Sequence, residues 1–338
     1  MSSRVAIVGA GAWGTALGVH LAARAHAAPR VTLCFRDRGA AAAAASAREN
    51  ARYLPGVTLP PRLALDAGLA SARDADLVFV ATPVAGLEAA VAALAAAGAR
   101  GPLALCCKGF VAAPGMPGGA LPAHLAVARA HAFATGVVSG PSFAEEVARA
   151  LPTALAVAAA TPSLAHDIAA LLRADTLRAY ETDDVIGVEV GGAAKNVLAI
   201  AAGASDGLGF GHNARAALVT RGLAEIARLA VALGGRRETL MGLAGVGDLV
   251  LTATGDLSRN RRVGLALARG EVLDAVLARL GHVAEGVAAA RATRDLARHH
   301  GVDMPVTEAV CDVLYGGVGV RTAVEGLLRR EPRREDAP

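Results

Sequence analysis

The hydrophobic pattern of the first half of the chain alternates between short apolar runs and longer amphipathic stretches. Stretches such as GTALGVHLAARA and GLEAAVAALAAAG have helical spacing. The alanine-rich run after Arg38 is also a predicted helix, because alanine is the best helix former. The predicted strands are RVAIVG, VTLCFR, ADLVFVAT, PLALCC, AFATGVVSG and TALAVAAA. This alternation predicts a parallel sheet with crossover helices.

Beyond about Asp183 the strand signals cease and the pattern becomes helical throughout. The stretches NARAALVTRGLAEIARLAVALGG and AEGVAAARATRDLARHH carry apolar residues at helical spacing. The sequence therefore predicts an α/β domain over residues 1–183 and an all-α domain over residues 184–338. The tail from about residue 329 is charged and contains proline, so we expect it to be disordered.

A glycine-rich segment follows the first predicted strand. Its letters, GAGAWG, fit the pattern G-x-G-x-x-G and open a predicted helix. Gly9 permits the turn, Gly11 lets a pyrophosphate approach the backbone, and Gly14 allows close packing of helix and strand. The segment predicts dinucleotide binding at a helix N-terminus and hence a Rossmann-type N-terminal domain.

The end of the second predicted strand bears on which dinucleotide is bound. NAD-selective folds usually place a carboxylate there for the ribose hydroxyls. This chain instead has Arg36, followed by Asp37. Because a guanidinium suits a 2′-phosphate, we expect NADP to be preferred over NAD. The alternative is that Asp37 binds the ribose and Arg36 is only solvated.

Lysine is rare in this chain, with Lys108 and Lys195 the only two among 34 lysines and arginines. Lys195 lies in GGAAKNVLAI, among small and aliphatic residues where an ammonium is costly to bury. A buried lysine can lose its proton, which an arginine cannot readily do, so Lys195 is a candidate for proton transfer. The alternative is that its ammonium reaches water from a half-buried helix.

Four further stretches place polar side chains in apolar surroundings: CCKGF, SGPSFAEE, GVGDLVLT and LSRNRR. Each has a structural explanation of its own, such as a strand-end charge at Lys108 or a helix cap at Asp248. Together with AAKN they suit the binding of a phosphate and a carbonyl. Arg259 can bind a phosphate with two parallel hydrogen bonds, and Ser258 and Asn260 flank it at a predicted helix start.

Composition narrows the partners and the compartment. Aromatic residues are only 3% of the chain, which disfavours stacking on nucleic-acid bases. The net charge of +4 is spread along the chain, which suggests either a small anionic ligand or a solvated basic surface. The four cysteines lack metal-binding spacing and suit reduced, buried thiols, so we expect no metal. The N-terminus lacks a signal-peptide layout and later apolar stretches are interrupted, which predicts a cytoplasmic chain without a membrane span.

The chain resembles the bacterial NAD(P)-dependent glycerol-3-phosphate dehydrogenases over almost its whole length. The blocks that carry the resemblance are GAGAWGTALG, ENARYLPG, LVFVATP, KGF, SGPSFAEEV, GVEVGGAAKNVLAIAAGASDGLGFG, NARAALVTRGLAE, GLAGVGDLVLTATGDLSRNRRVG and VAEGV. Two places depart from the family pattern. His212 stands where the family often has an acidic or amide residue, and the segment after Lys108 is rich in glycine and proline.

The resemblance implies a function for each matching residue. It implies that Lys195 is the proton acceptor and that Asn196 and Thr252 support the site. The residues implied to contact the substrate are Lys108, Gly140, Ser142, Asp248, Ser258, Arg259 and Asn260. Those implied to meet the dinucleotide, besides the three glycines of the loop, are Trp13, Arg36, Tyr53, Lys108, Ala144, Arg259, Val283 and Glu285.

The resemblance also implies a reaction. This is reversible hydride transfer between NAD(P)H and dihydroxyacetone phosphate, which supplies glycerol 3-phosphate for phospholipid synthesis in a cytoplasmic homodimer. The protein would position both reactants and move one proton. Two alternatives remain. One is a two-domain dehydrogenase of the β-hydroxyacid or 6-phosphogluconate kind, against which SRNRR after GDLVLT argues. The other is a non-catalytic sensor of dinucleotide redox state.

Overall fold

The computed structural model describes residues 3–24, 28–280 and 284–329, and the chain divides into two compact units. Unit 1 comprises Met1–Cys107 and Ala123–Val185, and unit 2 comprises Lys108–Pro122 and Ile186–Pro338. Unit 1 is the predicted Rossmann-type α/β domain, and unit 2 is predominantly helical. The predicted disordered tail lies outside the described residues from residue 330 onwards.

The strands and helices alternate in unit 1 and give way to helices in unit 2. The strands are β1 (Arg4–Val8), β2 (Arg30–Phe35), β3 (Ala64–Ala67), β4 (Leu77–Val80), β5 (Leu103–Leu105), β6 (Val111–Ala112), β7 (Ala120–Leu121), β8 (Thr135–Ser139), β9 (Thr153–Ala159) and β10 (Leu177–Thr182). The helices of unit 1 are α1 (Ala12–Ala22), α2 (Arg38–Ala47), α3 (Ala70–Arg73), α4 (Leu87–Ala96), α5 (Ala123–Ala130), α6 (Ala144–Ala148) and α7 (Pro162–Leu172). Those of unit 2 are α8 (Val185–Gly207), α9 (Gly211–Ala232), α10 (Arg237–Leu240), α11 (Asp248–Thr254), α12 (Arg259–Ala268), α13 (Leu273–Leu280), α14 (Glu285–His299), α15 (Pro305–Tyr315) and α16 (Val320–Leu328).

Unit 1 is organised around an eight-stranded sheet in the order β10-β9-β8-β5-β4-β1-β2-β3. Neighbouring strands are parallel except β8 and β9, which are antiparallel. The chain runs outward from β1 in one direction through β2 and β3, and in the other through β4 and β5. Ligands of such sheets bind beyond the carboxyl ends of the strands at the point where the order reverses. Gly9, which follows β1, lies at that point.

The apolar runs of unit 1 form strands because both faces of the sheet are buried. Ile7, Leu33, Phe79 and Leu105 are fully buried, one in each of four neighbouring strands. Continuous apolar runs are typical of parallel strands covered by helices on both faces. Strands β3 and β10 were not predicted, because their sequences, ALDA and LRAYET, include charged residues and neither is a continuous apolar run.

Unit 2 is built around α8, a helix that is buried almost along its whole length. Its small residues allow close packing of neighbouring backbones. A Cβ at Gly203 would lie 2.0 Å from the carbonyl oxygen of Arg261, so only glycine lets α12 pack this closely. The close approach brings the first turn of α12, which follows Ser258, beside the helix that carries Lys195.

Helix α8 is also long and apolar enough to cross a membrane by length and composition, and the bent pair Arg237–Thr254 and Arg259–Ala268 passes the same test. This corrects the expectation that every apolar stretch is interrupted before it reaches that length. In α8, 94% of the most apolar window is buried inside the protein. Such burial is what the core helix of a domain shows, because its apolar surface is covered by neighbouring helices.

The segment 108–122 corrects the predicted domain boundary, since it belongs to unit 2 and not to the first domain. Its strands β6 and β7 pair as an antiparallel hairpin. The turn between them packs on α14, where a Cβ at Gly118 would lie 2.9 Å from Leu296. The glycines and prolines noted in the sequence therefore form a hairpin that brings Lys108 into the helical unit.

Candidate functional site

The glycine loop of unit 1 has the shape that a dinucleotide needs. Gly9 has a φ of +108°, and a Cβ there would lie 2.9 Å from the carbonyl group of Ala81. A Cβ at Gly14 would lie 2.0 Å from the carbonyl oxygen of Gly9. A Cβ at Gly11, by contrast, would meet nothing within 4 Å. The loop is tightly packed on the protein side and open at Gly11, which fits a pyrophosphate at the N-terminus of α1.

Arg36 lies directly after β2, and its side chain is exposed. Asp37 is the N-cap of α2, and its Oδ1 accepts a hydrogen bond from the backbone N–H of Ala40 at 2.6 Å. One carboxylate oxygen of Asp37 is therefore already used in capping. Both residues are exposed at the carboxyl end of β2, and only Asp37 has an oxygen engaged in capping α2.

The remaining predicted residues of unit 1 lie on loops and helix starts around the sheet. Trp13 is the second residue of α1, and Ala144 is the first residue of α6. Both pack against the core of the unit. The guanidinium of Arg52 lies 5.2 Å from the ring centre of Tyr53. Ser142 Oγ donates a hydrogen bond to the carbonyl oxygen of Gly140 at 2.9 Å, just after β8.

Unit 2 contains a buried polar cluster centred on Asp248. Lys195 Nζ lies 2.5 Å from Asp248 Oδ1 and 2.8 Å from Thr252 Oγ1. Lys108 Nζ lies 2.7 Å from Asp248 Oδ2. Asp248 begins α11, directly after the single π-helical turn Leu243–Gly247, and is 1% exposed. The structure thus brings together four residues from three separate blocks of the sequence.

Lys195 is not the half-buried, water-reaching lysine of the alternative interpretation. The residue is only 5% exposed and lies in the middle of α8. Burial lowers its pKa from 10.5 to about 8, while the carboxylate of Asp248 opposes this shift and the ammonium of Lys108 adds to it. A pKa near 8 lets the side chain exist in both protonation states close to neutral pH.

Asp248 is an anion in this cluster. Burial raises the pKa of its carboxyl, but the two ammonium groups of Lys108 and Lys195 outweigh that effect, and its pKa is lowered overall. With two cations and one anion, the cluster carries a net charge of +1 when both lysines are protonated. Such a site suits a substrate that brings negative charge.

A chain of amide hydrogen bonds connects the cluster to α12 and α14. Asn260 Nδ2 donates to Asn196 Oδ1 at 2.9 Å, and Asn260 Oδ1 accepts from the backbone N–H of Gly286 at 3.0 Å. Asn196 follows Lys195 in α8, and both asparagines are buried. These hydrogen bonds fix the start of α12 relative to Lys195. Asn196 and Asn260 thus connect α8, α12 and α14.

Ser258 and Arg259 occupy the start of α12 as predicted. Ser258 is the N-cap, and its Oγ accepts from the backbone N–H of Arg261 at 3.2 Å. Arg259 is the first helical residue, and its side chain is exposed. Glu285 begins α14. Val283 lies outside the described residues.

His212 has a local partner, since its Nδ1 lies 2.7 Å from a terminal nitrogen of Arg215. Arg215 in turn binds Asp206, which also binds Arg261 through Nε at 3.1 Å. The imidazole therefore belongs to an ion network beside α12. Within residues 3–24, 28–280 and 284–329, no group of three or more His, Cys, Asp or Glu side chains could hold a metal ion.

Asn50 was missed in the sequence. It lies in the block ENARYLPG, where only Tyr53 was assigned, yet it is 5% exposed and hydrogen-bonded to the glycine loop. The signal that could have found it was its polar amide in a segment that also contains the apolar residues needed for packing.

A glycine loop shaped for a dinucleotide and a buried lysine tuned near neutral pH define an NAD(P)-dependent dehydrogenase. A sequence model described as NAD-dependent glycerol-3-phosphate dehydrogenase N-terminus matches residues 4–165, and the corresponding C-terminus model matches residues 184–325. The chain belongs to the NAD-dependent glycerol-3-phosphate dehydrogenase family. This membership excludes the β-hydroxyacid and 6-phosphogluconate alternatives.

Individual relatives agree with this placement over the full length. The chain is 56% identical to glycerol-3-phosphate dehydrogenase, NAD(P)+, of Aromatoleum aromaticum, and the match covers 98% of this chain and 100% of the relative. The enzyme of the same name from Cupriavidus necator is also 56% identical, with the same coverage. The crystal structure of glycerol-3-phosphate dehydrogenase from Coxiella burnetii is similar with a TM-score of 0.90 and 37% identity, covering 96% of this chain and 98% of that one.

Proposed function

We propose that the chain catalyses reversible hydride transfer between NAD(P)H and dihydroxyacetone phosphate, forming sn-glycerol 3-phosphate. The observation that carries this proposal is the buried Lys195, whose pKa is lowered to about 8 beside Asp248. A ketone that accepts hydride must also gain a proton on its oxygen. Lys195 is a group that can supply it, because an arginine would not release its proton at this pH.

The proton is moved by Lys195 and its neighbours. In the reducing direction, the ammonium of Lys195 donates a proton to the carbonyl oxygen of the substrate, and in the oxidising direction the neutral amine accepts one from the hydroxyl. Asp248 and Thr252 hold Nζ in place at 2.5 Å and 2.8 Å. Lys108, on the other carboxylate oxygen, adds positive charge that favours an oxygen with developing negative charge.

The phosphate of the substrate binds at the start of α12. Arg259 offers an exposed guanidinium there, at the positive end of a helix dipole, and Ser258 and Asn260 flank it. Phosphate binding at this point fixes one end of the substrate, so that its carbonyl can be held near Lys195. Gly140 and Ser142 are proposed as further contacts of the substrate.

When bound, the nicotinamide dinucleotide supplies the hydride and takes it back. The glycine loop, from Gly9 to Gly14, would hold its pyrophosphate, with Trp13, Tyr53, Ala144, Val283 and Glu285 as further contacts. Arg36 would bind the 2′-phosphate of NADP, which makes NADP the preferred form. The capping of α2 by Asp37 supports this preference, because it engages an oxygen that an NAD-selective carboxylate would offer to the ribose.

The absorbance of the reduced nicotinamide tests the activity. The purified chain should oxidise NADPH when dihydroxyacetone phosphate is added, and should reduce NADP when glycerol 3-phosphate is added. A chain that binds NADPH but does not oxidise it with this substrate would be a dinucleotide sensor instead. We further propose a cytoplasmic homodimer that supplies glycerol 3-phosphate for phospholipid synthesis; sedimentation of the purified chain tests the dimer.

A further inference from the structure

Asn50 is a buried polar residue that none of the proposed contacts uses. It lies between α2 and β3 and is 5% exposed. Its side-chain Nδ2 donates to the carbonyl oxygen of Ala10 at 2.9 Å and to Oγ1 of Thr15 at 2.8 Å. Both hydrogens of the amide are therefore used, one on the glycine loop and one on the helix that follows it.

The bond to Ala10 sets the orientation of a peptide group in the middle of the loop. The described residues contain no cis peptide bonds, so the carbonyl of Ala10 and the N–H of Gly11 point in opposite directions. Holding the carbonyl toward Asn50 directs the N–H of Gly11 away from Asn50. Gly11 also leaves space where a side chain would stand, since an added Cβ would meet nothing within 4 Å.

The backbone of Asn50 acts on a second part of the proposed cofactor site. Its carbonyl oxygen accepts hydrogen bonds from the N–H groups of Tyr53 at 3.1 Å and Leu54 at 2.8 Å. Leu54 is fully buried and anchors this turn in the core of unit 1. One residue thus connects the glycine loop, the start of α1 and the turn that carries Tyr53.

We propose that Asn50 is a positioning residue that orients the Ala10–Gly11 peptide so that the N–H of Gly11 is presented to the pyrophosphate of the dinucleotide. The proposal rests on the dinucleotide binding proposed above. A preset N–H donor binds an anion without first reorganising the loop. Only an amide suits the position, because an aspartate would place a carboxylate oxygen against the carbonyl of Ala10, and a serine is too short to reach it.

The test compares ligands that contain a pyrophosphate with one that does not. The variants are Asn50→Asp and Asn50→Ser, and binding is followed by the fluorescence of Trp13, which is the only tryptophan in the chain. NADPH and ADP-ribose contain the pyrophosphate, whereas AMP has a single phosphate. Both variants should bind NADPH and ADP-ribose about tenfold more weakly or worse, which is the usual effect of losing one hydrogen bond to a charged group. Their affinity for AMP should be nearly unchanged.

Thr15→Val is the matched control. It removes one of the two acceptors of Asn50 but leaves the bond to Ala10, so it should keep the parental ratio of NADPH to AMP affinity. Circular dichroism and the melting temperature establish that each variant is folded. A general destabilisation of unit 1 would lower the affinity for all three ligands, whether or not they contain a pyrophosphate.

Several results would overturn the proposal. Equal losses for AMP and NADPH in the Asn50 variants would make Asn50 a structural residue only, as would failure of both variants to fold. Parental affinity for all three ligands would show that Gly11 needs no such support. Parental binding of NADPH without oxidation by dihydroxyacetone phosphate would instead contradict the proposed function, while the ligand comparison would still decide the part played by Asn50.

Discussion

Lys195 Nζ lies 2.5 Å from Oδ1 of Asp248, inside a helical unit where both side chains are almost fully buried. Lys108 binds the other oxygen of the same carboxylate at 2.7 Å. The two ammonium groups keep the buried carboxylate of Asp248 ionised. This carboxylate in turn holds the ammonium of Lys195 in one position. The pair thus sets both the geometry and the proton affinity of the proposed acid.

Replacing Asp248 by asparagine should lower the pKa of Lys195 below about 8, because the carboxylate opposes the effect of burial. Reduction of dihydroxyacetone phosphate should lose activity, and its pH profile should move to lower pH. Breaking a buried ion pair should also destabilise the fold by about 3–5 kcal/mol. Asp256→Asn is the matched control, since that carboxylate is 95% exposed and binds Arg261 at the surface. An unshifted profile in Asp248→Asn would contradict this assignment.

The pH dependence of the parent should follow Lys195. With a pKa of about 8, the ammonium is present below that pH and lost above it. The value of kcat/KM for ketone reduction should therefore fall as the pH rises through about 8, while that for alcohol oxidation should rise, because kcat/KM reports the free enzyme. Profiles of both directions measured on one preparation check this. The same trend in both directions would count against Lys195 as the titrating group.

The pH dependence of the stability of the fold should also reflect the protonation of Lys195. Its pKa is about 8 in the folded chain against an ordinary value of 10.5, so the unfolded chain binds more protons between these two pH values. The burial of Lys195 therefore lowers the free energy of unfolding below about pH 8. This loss of stability disappears as the pH rises towards 10.5. Denaturant unfolding of the parent and of Lys195→Met, measured from neutral pH upward, should reveal a rise that only the parent shows.

Arg36→Ala should weaken the binding of NADPH much more than the binding of NADH. The loss of one charge-assisted contact to the 2′-phosphate costs about 1.5–3 kcal/mol, or roughly tenfold to a hundredfold in affinity. Arg38→Ala is a suitable control, because Arg38 is also exposed and lies two residues further on. Michaelis constants for both cofactors provide the measurement, and equal changes for the two would remove Arg36 from this assignment.

Arg259→Ala should raise the Michaelis constant for dihydroxyacetone phosphate steeply and leave that for NADPH less affected. The reason is the loss of a guanidinium at the start of α12, where the substrate phosphate is proposed to bind. Arg262→Ala, on the same helix and also exposed, is the control. The parent should turn over unphosphorylated dihydroxyacetone very poorly. Comparable turnover of the two ketones would contradict a phosphate site.

The sequence predicted the two kinds of domain because their patterns are strong. Continuous apolar runs such as VAIV and LVFV are buried on both faces, and α8 is buried almost along its whole length. It did not predict β10, whose exposed positions include Arg178 and Glu181, because an edge strand needs apolar residues on only part of its surface. Nor did it place the hairpin 108–122 in unit 2, since that depends on packing against α14 over a long sequence separation.

The candidate site was predictable as a set of residues but not as an arrangement. Lys195 was found because lysine is rare in the chain, and Arg259 because it begins a helix. The sharing of Asp248 by two lysines could not be read from spacing, because the three residues are separated by 53 and 140 positions. Asn50 was overlooked for the same reason, since its partner Ala10 lies 40 positions away.

The most direct test is the turnover number of Lys195→Arg with NADPH and dihydroxyacetone phosphate, measured beside NADPH binding. Arginine keeps the charge but cannot readily release a proton, and Lys195→Met serves as the uncharged comparison. We expect both variants to bind NADPH and to lose at least about 10²–10⁴ in turnover number, the usual worth of general acid–base catalysis. Near-parental turnover of Lys195→Arg with an unchanged pH profile would contradict the account and leave Lys108 as the leading proton donor.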